Sequence, residues 1–456
     1  MSDIQDIGSP TPRAAPKSGD QRGSEMPQTA SQYYASTLFD RRLKLRRSRE
    51  WLLRILGVGS IALAMVMLLT LFGSILWQSR TAFIQTQISL PVHFDTTFLA
   101  KDGTVTEANI RAADYRSLIR NALIERLGKA SGRTARREQI AIVSGQTAFR
   151  LREMVLADPL LIGTKTEVWV PASDDVHNIM QGAVSRDVSE DNRTVSDRQL
   201  AWLDQLSDAG QVRAPFAWDL LFENDSRDPE VAGIFAGVMG SMLMLFVTLA
   251  VSLPLGVAAA VYLEEFAPRN WFTELIDVNI RNLAAVPSIV FGLLALAVFI
   301  RVFGMPRSSP LVGGLALSLL VLPTMIIAAR AAIEAVPQSL RNAALELGAS
   351  RMQTVTLVVL PNALPGILTG TIISMAEALG ETAPLLMIGM IAFVADTPTG
   401  LLDPAAPLPV QIYTWSTSPE RLFAAKTAAA IIVLLMVLFL MNAVAIYVRD
   451  RLQKKW

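Results

Sequence analysis

The fold is indicated by the segment Asn342-Ala343-Ala344-Leu345-Glu346-Leu347-Gly348, which is followed after a gap by Val358-Val359-Leu360-Pro361. This polar segment lies between two long apolar runs. On the face of a membrane bundle, small Ala343 and Ala344 would allow close approach of a partner. We therefore expect a docking surface for a separate protein at this segment. The alternative is a surface hairpin with no partner.

Local signals in the same segment predict two short helices joined at a glycine. Pro337 is favoured in the first turn of a helix, where its missing N–H costs nothing. Gly348 can adopt the left-handed conformation that ends a helix. Ser350 and Gln353 have the spacing of a capping box for the second helix, which we expect to stop at Pro361.

Composition and apolar runs predict an all-α polytopic membrane protein. Hydrophobic residues make up 52% of the 456 residues, and the mean hydropathy is +0.39. The run 55–77 is uncharged and long enough to cross a bilayer. Together with it, the following apolar segments give six predicted transmembrane helices: 231–263, 282–300, 312–329, 364–395 and 427–448.

The placement of basic residues predicts the topology. Seven lie between positions 41 and 54, which indicates a cytoplasmic N-terminus. An even number of spans brings the C-terminus to the same side, in agreement with Arg449, Arg451, Lys454 and Lys455. The loop 264–281 and the segment 330–361 would then face the cytoplasm.

Composition also divides the chain into regions. The stretch 78–230 is polar, with amphipathic helix periods in 110–127 and 200–206 and a short strand in 166–170, and topology places it outside the membrane. The predicted organisation is a disordered cytoplasmic tail at 1–40, a basic anchor and first transmembrane helix at 41–77, a mixed but mostly helical extracytoplasmic domain at 78–230, a core of five transmembrane helices at 231–448 that includes the loop 336–361, and a cytoplasmic C-terminus at 449–456.

Several chemical functions are disfavoured by residues that the sequence lacks. There is no cysteine, and there are two histidines, His93 and His177, for which surface positions are the simplest interpretation. No G-x-x-x-x-G-K-[ST] loop or nucleophile–base set occurs. We predict that the chain is not an enzyme and holds no metal or cofactor, so ATP as an energy source would be bound by another subunit.

Five stretches carry a resemblance to a known family. The second half of the chain resembles the A-type permease subunit of the bacterial phosphate-specific (Pst) ABC importer, and the last stretch is the most family-specific. The matching residues are Ser252-Leu253-Pro254-Leu255-Gly256 with Tyr262-Leu263-Glu264-Glu265, Val286-Pro287-Ser288-Ile289-Val290-Phe291-Gly292, Val336-Pro337-Gln338-Ser339-Leu340-Arg341, and Gly380-Glu381-Thr382-Ala383-Pro384-Leu385-Leu386.

The resemblance implies a type I importer permease fold with an additional domain between the first two helices. It implies a multi-pass protein among the lipids of the bacterial inner membrane, and no nucleic-acid partner. It further implies a second permease subunit, a pair of ATPase subunits, a periplasmic phosphate-binding protein and phosphate as cargo. The ATPase-coupling loop of the family corresponds here to Asn342, Ala343, Ala344, Gly348, Val358, Leu360 and Pro361.

Departures from the family keep two other functions open. The family usually has Glu at the position of Asn342, and often has Arg at the positions of Glu377 and Ile327. A carboxylate at position 377 would repel an oxyanion, which favours another oxyanion or a small solute as cargo. A sensor or scaffold that uses the external domain is a third hypothesis, although a sensor needs no ATPase-docking loop.

Ionisable residues inside a span are costly and mark functional positions. Glu377 and Glu381 are spaced i, i+4, so we expect them on one helical face. They could pair with a cation of a partner helix, hold a proton or line a water-filled path. For Pro287 and Ser288, ordinary proline kinks are the alternative to a role in transport. The predicted translocation path comprises Glu377, Gly380, Glu381, Thr382, Pro384, Pro287 and Ser288.

Overall fold

The computed structural model describes residues 37–99, 106–390, 393–394 and 396–452. These residues fall into two compact units, one that ends at Phe72 and one that begins at Gly73. Most of the predicted tail 1–40, together with Lys454 and Lys455, lies outside the described residues. Helix α1, Thr37–Ser79, begins inside the predicted tail and contains the predicted first span.

The region 78–230 folds around a three-stranded antiparallel sheet in the order β2-β1-β3. Its core is aliphatic, with Ile88, Leu90 and Val92 of the central strand fully buried. Its elements are β1 Gln87–His93, α2 Thr96–Leu99, α3 Glu107–Ala112, α4 Tyr115–Leu127, α5 Arg133–Ile140, α6 Thr147–Ala157, β2 Lys165–Pro171, α7 Asp174–Met180, α8 Asp197–Asp208, β3 Val212–Arg213 and α9 Trp218–Phe222.

The two helical periods predicted in this region have different outcomes: one is divided into two helices and the other lies within a single helix. The predicted helical period 110–127 is split into α3 and α4, because Asp114 caps α4 by accepting a hydrogen bond from the Ser117 N–H at 3.1 Å. The period at 200–206 lies within α8, which begins at a capping box formed by Ser196 and Gln199. Short-range hydrogen bonds thus set both helix starts.

The rest of the chain forms a helical bundle. Its elements are α10 Phe235–Val261, a π-helical turn Tyr262–Phe266, α11 Trp271–Ala284, α12 Ser288–Ala295 with a π-helical turn Leu296–Val302, α13 Pro310–Glu334, α14 Gln338–Glu346, α15 Arg351–Thr354, a π-helical turn Val355–Val359, α16 Leu360–Gly380, α17 Ala383–Met387, α18 Leu408–Ser416 and α19 Arg421–Leu452.

Five helices of the described chain are long and apolar enough to span a membrane, namely Arg49–Ser79, Phe235–Phe266, Pro310–Glu334, Arg351–Gly380 and Arg421–Arg451. The predicted span 282–300 is instead part of a pair, Trp271–Ala284 and Ser288–Val302, bent by 101°. The number of spans is therefore five, or six if the bent pair crosses as one. In the predicted span 364–395 the long helix ends at Gly380, and after a break at 381–382 only the short helix α17 follows within the described residues.

Helices α10 and α13 run side by side and parallel at the centre of the bundle. The Thr248 hydroxyl donates to the carbonyl of Gly314 at 3.1 Å, and further along both helices Gly256 lies against Met325. A Cβ at Gly314 would lie 2.5 Å from that of Val247, so only glycine permits this approach. Because the helices are parallel, their C-terminal ends meet and bring the π-helical turn 262–266 close to α14.

The other end of α10 is fused to the region 78–230. Residues 217–234, α18 and the first turns of α19 share one apolar cluster, which we call the domain seam. The fully buried Trp415 donates from Nε1 to Asp225 at 2.9 Å, and Asp174 accepts from the Leu422 N–H at 3.2 Å. The domain is therefore held on the bundle by a common core.

Candidate functional site

The loop 336–361, which we call the coupling segment, contains the two short helices. Helix α14 follows Pro337, and Gly348 has a φ of +86°, the left-handed conformation that glycine favours. Ser350 accepts from the Gln353 N–H, while the Gln353 side chain accepts from the Ser350 N–H at 2.8 Å. These contacts form a capping box at the start of α15.

One prediction for this segment was wrong, because Pro361 does not end the second helix. Helix α15 continues through the π-helical turn Val355–Val359 into α16, with Pro361 in the first turn of α16. The wider π turn changes the carbonyl register just before the proline, at the point where an α-helix would need its N–H. The coupling segment is thus continuous with α16.

The coupling segment exposes large apolar side chains. Leu347 is 89% exposed, Leu357 72% and Met352 60%. Ala343 is exposed and Ala344 is 9% exposed, and the expectation that both alanines meet a partner stays a prediction. Exposed apolar side chains form part of the outward surface of the segment. Asn342, Gly348 and Pro361 are exposed, and Val358 and Leu360 are half-buried.

Ion pairs anchor this segment to the end of α10, and sequence reasoning missed them. The Arg341 guanidinium donates to Glu265 Oε1 from Nε at 3.0 Å and from Nη2 at 2.9 Å. It also donates to the carbonyls of Ile333, at 2.8 Å, and Val336 near the end of α13. The two side chains of this pair are 11% and 12% exposed. A single arginine thus joins α14, α13 and the π-helical turn after α10.

A second arginine, Arg330, connects α13 to α11 and to the π-helical turn after α10. Arg330 of α13 pairs with Asp277 of α11 and lies 3.4 Å from Glu264. The acidic pair Glu264-Glu265 directly after an apolar run was visible in the sequence, and each carboxylate has an arginine partner. The end of the bundle that carries the coupling segment is therefore cross-linked by charge.

The carboxylates of the predicted path do not share a helical face. Helix α16 ends at Gly380, and Glu381 is extended, because the ring of Pro384 would clash with the Gly380 carbonyl in a continuous helix. Glu377 is exposed and Glu381 half-buried. Within the part of the chain that the structure describes, neither has a basic group within 4 Å.

Two parts of the predicted translocation path, 287–288 and 380–384, belong to helices that pack together. Pro287 and Ser288 lie at the 101° bend, where Pro287 caps α12. On that helix Gly292 packs on the break after α16, since a Cβ at Gly292 would lie 2.6 Å from Pro384 Cα. Helix α12 after the bend and helix α17 after the break therefore share one buried apolar cluster, which includes Phe291 and Leu385.

Among the described ranges, no group of three or more histidine, aspartate or glutamate side chains could hold a metal ion. His177 is buried, contrary to the expectation of a surface histidine, and its Nδ1 lies 3.0 Å from Thr86 Oγ1. His93 lies at the end of β1 and is exposed.

Two family profiles match the chain. One, described as a domain of unknown function (DUF3333), covers residues 40–190. The other, described as a binding-protein-dependent transport system inner membrane component, covers residues 252–455 and so includes the coupling segment and the break after α16.

Curated relatives match over about half of the chain. A probable ABC transporter permease protein, YqgI of Bacillus subtilis (strain 168), is 33% identical over 238 residues, which are 49% of this chain and 80% of that protein. The phosphate transport system permease protein PstA 1 of Mycobacterium tuberculosis (strain CDC 1551 / Oshkosh) is 33% identical over 219 residues, 48% and 70% of the two chains. PstA of Pasteurella multocida (strain Pm70) is 30% identical over 226 residues, 48% and 79%.

Solved structures with similar chains include an inward-facing MetNI methionine ABC transporter, at 16% identity and a TM-score of 0.37 over 49% of this chain and 95% of that one. A bacterial ABC transporter for alginate import gives 15% identity and a TM-score of 0.38 over 48% and 79%.

The identity to permease proteins over most of their length agrees with the family profile on the same half of the chain. It also confirms the resemblance to the A-type phosphate permeases. The chain therefore belongs to the binding-protein-dependent ABC transporter permeases, as a membrane component and not an enzyme, with an additional N-terminal domain of unknown function.

Proposed function

We propose that the chain is the transmembrane permease subunit of an ATP-driven importer that moves inorganic phosphate across the bacterial inner membrane. The observation that carries the proposal is the 30–33% identity to phosphate permeases. In this proposal the bent pair crosses as one span, both termini are cytoplasmic and the domain 78–230 is extracytoplasmic. The partners are a second permease subunit, a pair of ATPase subunits and a periplasmic phosphate-binding protein.

The coupling step is a movement of the coupling segment by the ATPase. Leu347, 89% exposed on the turn before α15, gives the segment an apolar side chain that a groove on the ATPase would cover. The Arg341–Glu265 pair then carries the movement to α10, and the continuous helix carries it to α16. Such a rigid-body linkage is one of the known ways in which a local event moves whole helices.

The translocation path runs beside the break after α16. The hydroxyls of Ser288 and Thr382 and the backbone groups freed at the break can offer hydrogen bonds to an oxyanion. Irregular backbone at membrane depth is tolerated where it meets protein or a water-filled cavity. We assign Glu377 and Glu381 to pairing with a cation of the second permease subunit, since both reach the surface of this chain.

Of the alternative cargoes, another oxyanion or a small solute, the exposed carboxylate of Glu377 favours a small solute that carries no negative charge. With no basic group of the described chain within 4 Å, this carboxylate would repel a phosphate that passed beside it. Uptake of labelled phosphate, measured beside uptake of other labelled solutes, separates the two candidates. A solute that is taken up while phosphate is not would replace phosphate as the cargo.

Uptake of labelled phosphate at low external phosphate tests the proposal, in cells that lack the chain and are complemented with wild type, Gly348→Asp or Gly163→Asp. Both glycines have a φ of +86° and open space at Cβ, so both variants carry the same backbone strain of about 1–2 kcal/mol. Only Gly348→Asp adds a charge to the coupling segment. We expect near-wild-type uptake with Gly163→Asp and loss of at least about tenfold with Gly348→Asp, the effect of about 1.4 kcal/mol or more.

Two outcomes would contradict the proposal. Equal uptake in the two variants at equal membrane abundance would remove the coupling role from the segment. Wild-type protein that assembles but restores no phosphate uptake would transfer the assignment to another cargo.

A further inference from the structure

The region 78–230 contains a concentration of positive charge. Seven basic residues and one acid lie between positions 116 and 137, whereas the whole chain has 41 basic and 40 acidic residues. This stretch forms α4, α5 and the turn that joins them. The local excess of positive charge therefore belongs to one corner of the domain.

This corner encloses a hollow of about 730 Å³. Its rim carries the side chains of Arg120, Lys129, Arg136 and Arg137, all on exposed residues, and no acidic residue lines it. Apolar residues that include Ile124, Ala130, Ile140 and Val143 complete the lining. A volume of this order is typical of a site for a small organic ligand.

Buried contacts hold the hollow open in a defined shape. The side chain of Gln139, 3% exposed, donates from Nε2 to the carbonyl of Gly128 at 2.9 Å, which fixes α5 against the end of α4. Arg136 Nε donates to the Ala130 carbonyl at 3.5 Å, and Arg120 Nη2 donates to Ser117 Oγ at 2.6 Å. The direct acceptors of these two arginines are thus uncharged, and Asp114 interacts with the charge of Arg120 only at a distance.

Nearby carboxylates are engaged elsewhere. Glu125 pairs with Lys165 at 2.5 Å, and Glu138 with Arg198 at 3.0 Å. Asp114 reaches Arg120 through the Ser117 hydroxyl, which donates to it. Among the residues that the structure describes, no carboxylate oxygen lies within 4 Å of the four rim cations. Such a set of open donors around a cavity suits a multivalent anion.

We propose that this hollow is a binding site for a phosphate group, either as the free ion or on an organic molecule or lipid headgroup. Arginine forks on two different helices can bind the oxygens from two sides. The apolar lining and the volume leave room for an organic part. A concave site with donors on its rim fits a small anion better than a flat acidic face of another protein.

Equilibrium binding to the full-length chain, purified in its detergent-solubilised complex, tests this site. The probes are labelled inorganic phosphate, a labelled sugar phosphate and a soluble short-chain phosphatidylglycerol. The test variant is Arg120→Gln/Arg137→Gln. The control, Arg111→Gln/Arg186→Gln, removes two arginines of the same domain that already pair with Glu107 and Asp204.

We expect saturable binding of at least one probe, weakened at least about tenfold in the test variant and unchanged in the control. The probe that binds shows whether the site takes the free ion, an organic phosphate or a lipid headgroup. Binding that is equal in wild type and test variant, or saturable binding of no probe, would overturn the site. Capture of an acidic polypeptide in place of all three probes would also overturn it. Because transport is not the readout, the result is independent of the proposed cargo.

Discussion

The two ends of α10 are built in opposite ways. At its C-terminal end, Arg341 and Glu265 pair near the surface while apolar Leu347 is left exposed. At its N-terminal end, the domain seam buries the apolar side chain of Trp415 and takes the charged Lys426 inside with it. The exposed apolar side chain at the first end fits our proposal that an ATPase covers it. An end that is already sealed serves to hold two parts of one chain together.

The charges inside the domain seam differ from those of the coupling segment in their partners. Lys426, 3% exposed, donates to the carbonyl of Ala232 at 2.6 Å, and Glu230 accepts from the Asp174 N–H at 2.9 Å. Burial raises the pKa of Glu230 to about 7. Burial also raises the pKa of Asp225, although hydrogen bonds from Trp415 and Ser226 oppose this shift. Backbone groups and not opposite side chains satisfy much of this charge.

The largest effect should come from Arg341→Ala, which leaves Glu265 without its partner and removes the side-chain donor to the carbonyls of Ile333 and Val336. Breaking such a pair when it is buried costs about 3–5 kcal/mol, and less at the partial exposure found here. We expect phosphate uptake to fall at least about tenfold while ATP hydrolysis by the complex continues, as expected for an uncoupled importer. Uptake and ATPase activity measured on the same preparation check this.

The matched control is Arg186→Ala, whose partner Asp204 lies at 2.8 Å on an exposed surface. Exposed pairs contribute about 0–1 kcal/mol, so uptake should stay near wild type. Arg341→Glu combined with Glu265→Arg should restore part of the uptake. If uptake and hydrolysis decline in step with the amount of folded protein, the pair is merely structural.

The next largest effect is expected from Trp415→Phe, which tests how much the Trp415–Asp225 hydrogen bond stabilises the domain seam. The change keeps most of the ring but removes the donor to buried Asp225, a loss of about 1–3 kcal/mol in stability. We expect a lower unfolding temperature, with uptake per folded molecule unchanged. Trp218→Phe, at a position 61% exposed in the same domain, is the control and should shift the temperature little. Loss of uptake at unchanged stability would give the seam a role in transport.

The Arg341–Glu265 and Trp415–Asp225 contacts, set beside the local caps of the coupling segment, show which contacts can be predicted from sequence. The cap at Ser350 and the turn at Gly348 were predicted because their hydrogen bonds close within a few residues. Arg341 and Glu265 are 76 residues apart, and Trp415 and Asp225 are 190 apart. Such contacts depend on how the helices assemble, which hydrophobic periodicity leaves open.

The errors in the predicted path have a related cause. Spacing alone placed Glu377 and Glu381 on one face, but that inference holds only if the helix continues past Gly380. Pro384, four residues beyond Gly380, was the signal against it. At Pro361 the error was the opposite one: the helix was predicted to end there but continues, because a π-helical turn can accommodate a proline. A proline therefore marks a disturbed helix without determining whether the helix ends.

A smaller effect is expected from Glu230→Gln, as a function of pH. The pKa of Glu230 is about 7 in the folded protein against an ordinary value of 4.5, so its contribution to stability is lost as pH rises from about 4.5 to about 7. The unfolding temperature of the variant, relative to wild type, should therefore increase from pH 5 to pH 8. Glu223→Gln, an exposed neighbour, should run parallel to wild type.

Other titrating groups near Glu230 also contribute to the dependence of stability on pH. Burial lowers the pKa of His177 to about 4 from 6.5, so its contribution is lost as pH falls through that range, opposite to Glu230. The charged groups that act on Glu230 are Lys426, Asp174 and Asp228, and Lys426 is in turn influenced by Asp219 and Asp225. A difference curve for Glu230→Gln that stays flat across pH would show that the carboxyl does not gain its proton on folding.

The smallest effect is expected from removing the N-cap serine of a capping box, which can be tested at two positions. Ser350 and Ser196 each form a capping box, with Gln353 and Gln199, so either change to alanine should cost about 1 kcal/mol locally. Ser350→Ala loosens the joint that leads into α16, and we expect a reduction in uptake of a few-fold. Ser196→Ala loosens α8 in the domain 78–230, and we expect normal uptake with a small loss in unfolding temperature. An equal reduction by both would mean that general stability limits transport and that the coupling segment has no special part in it.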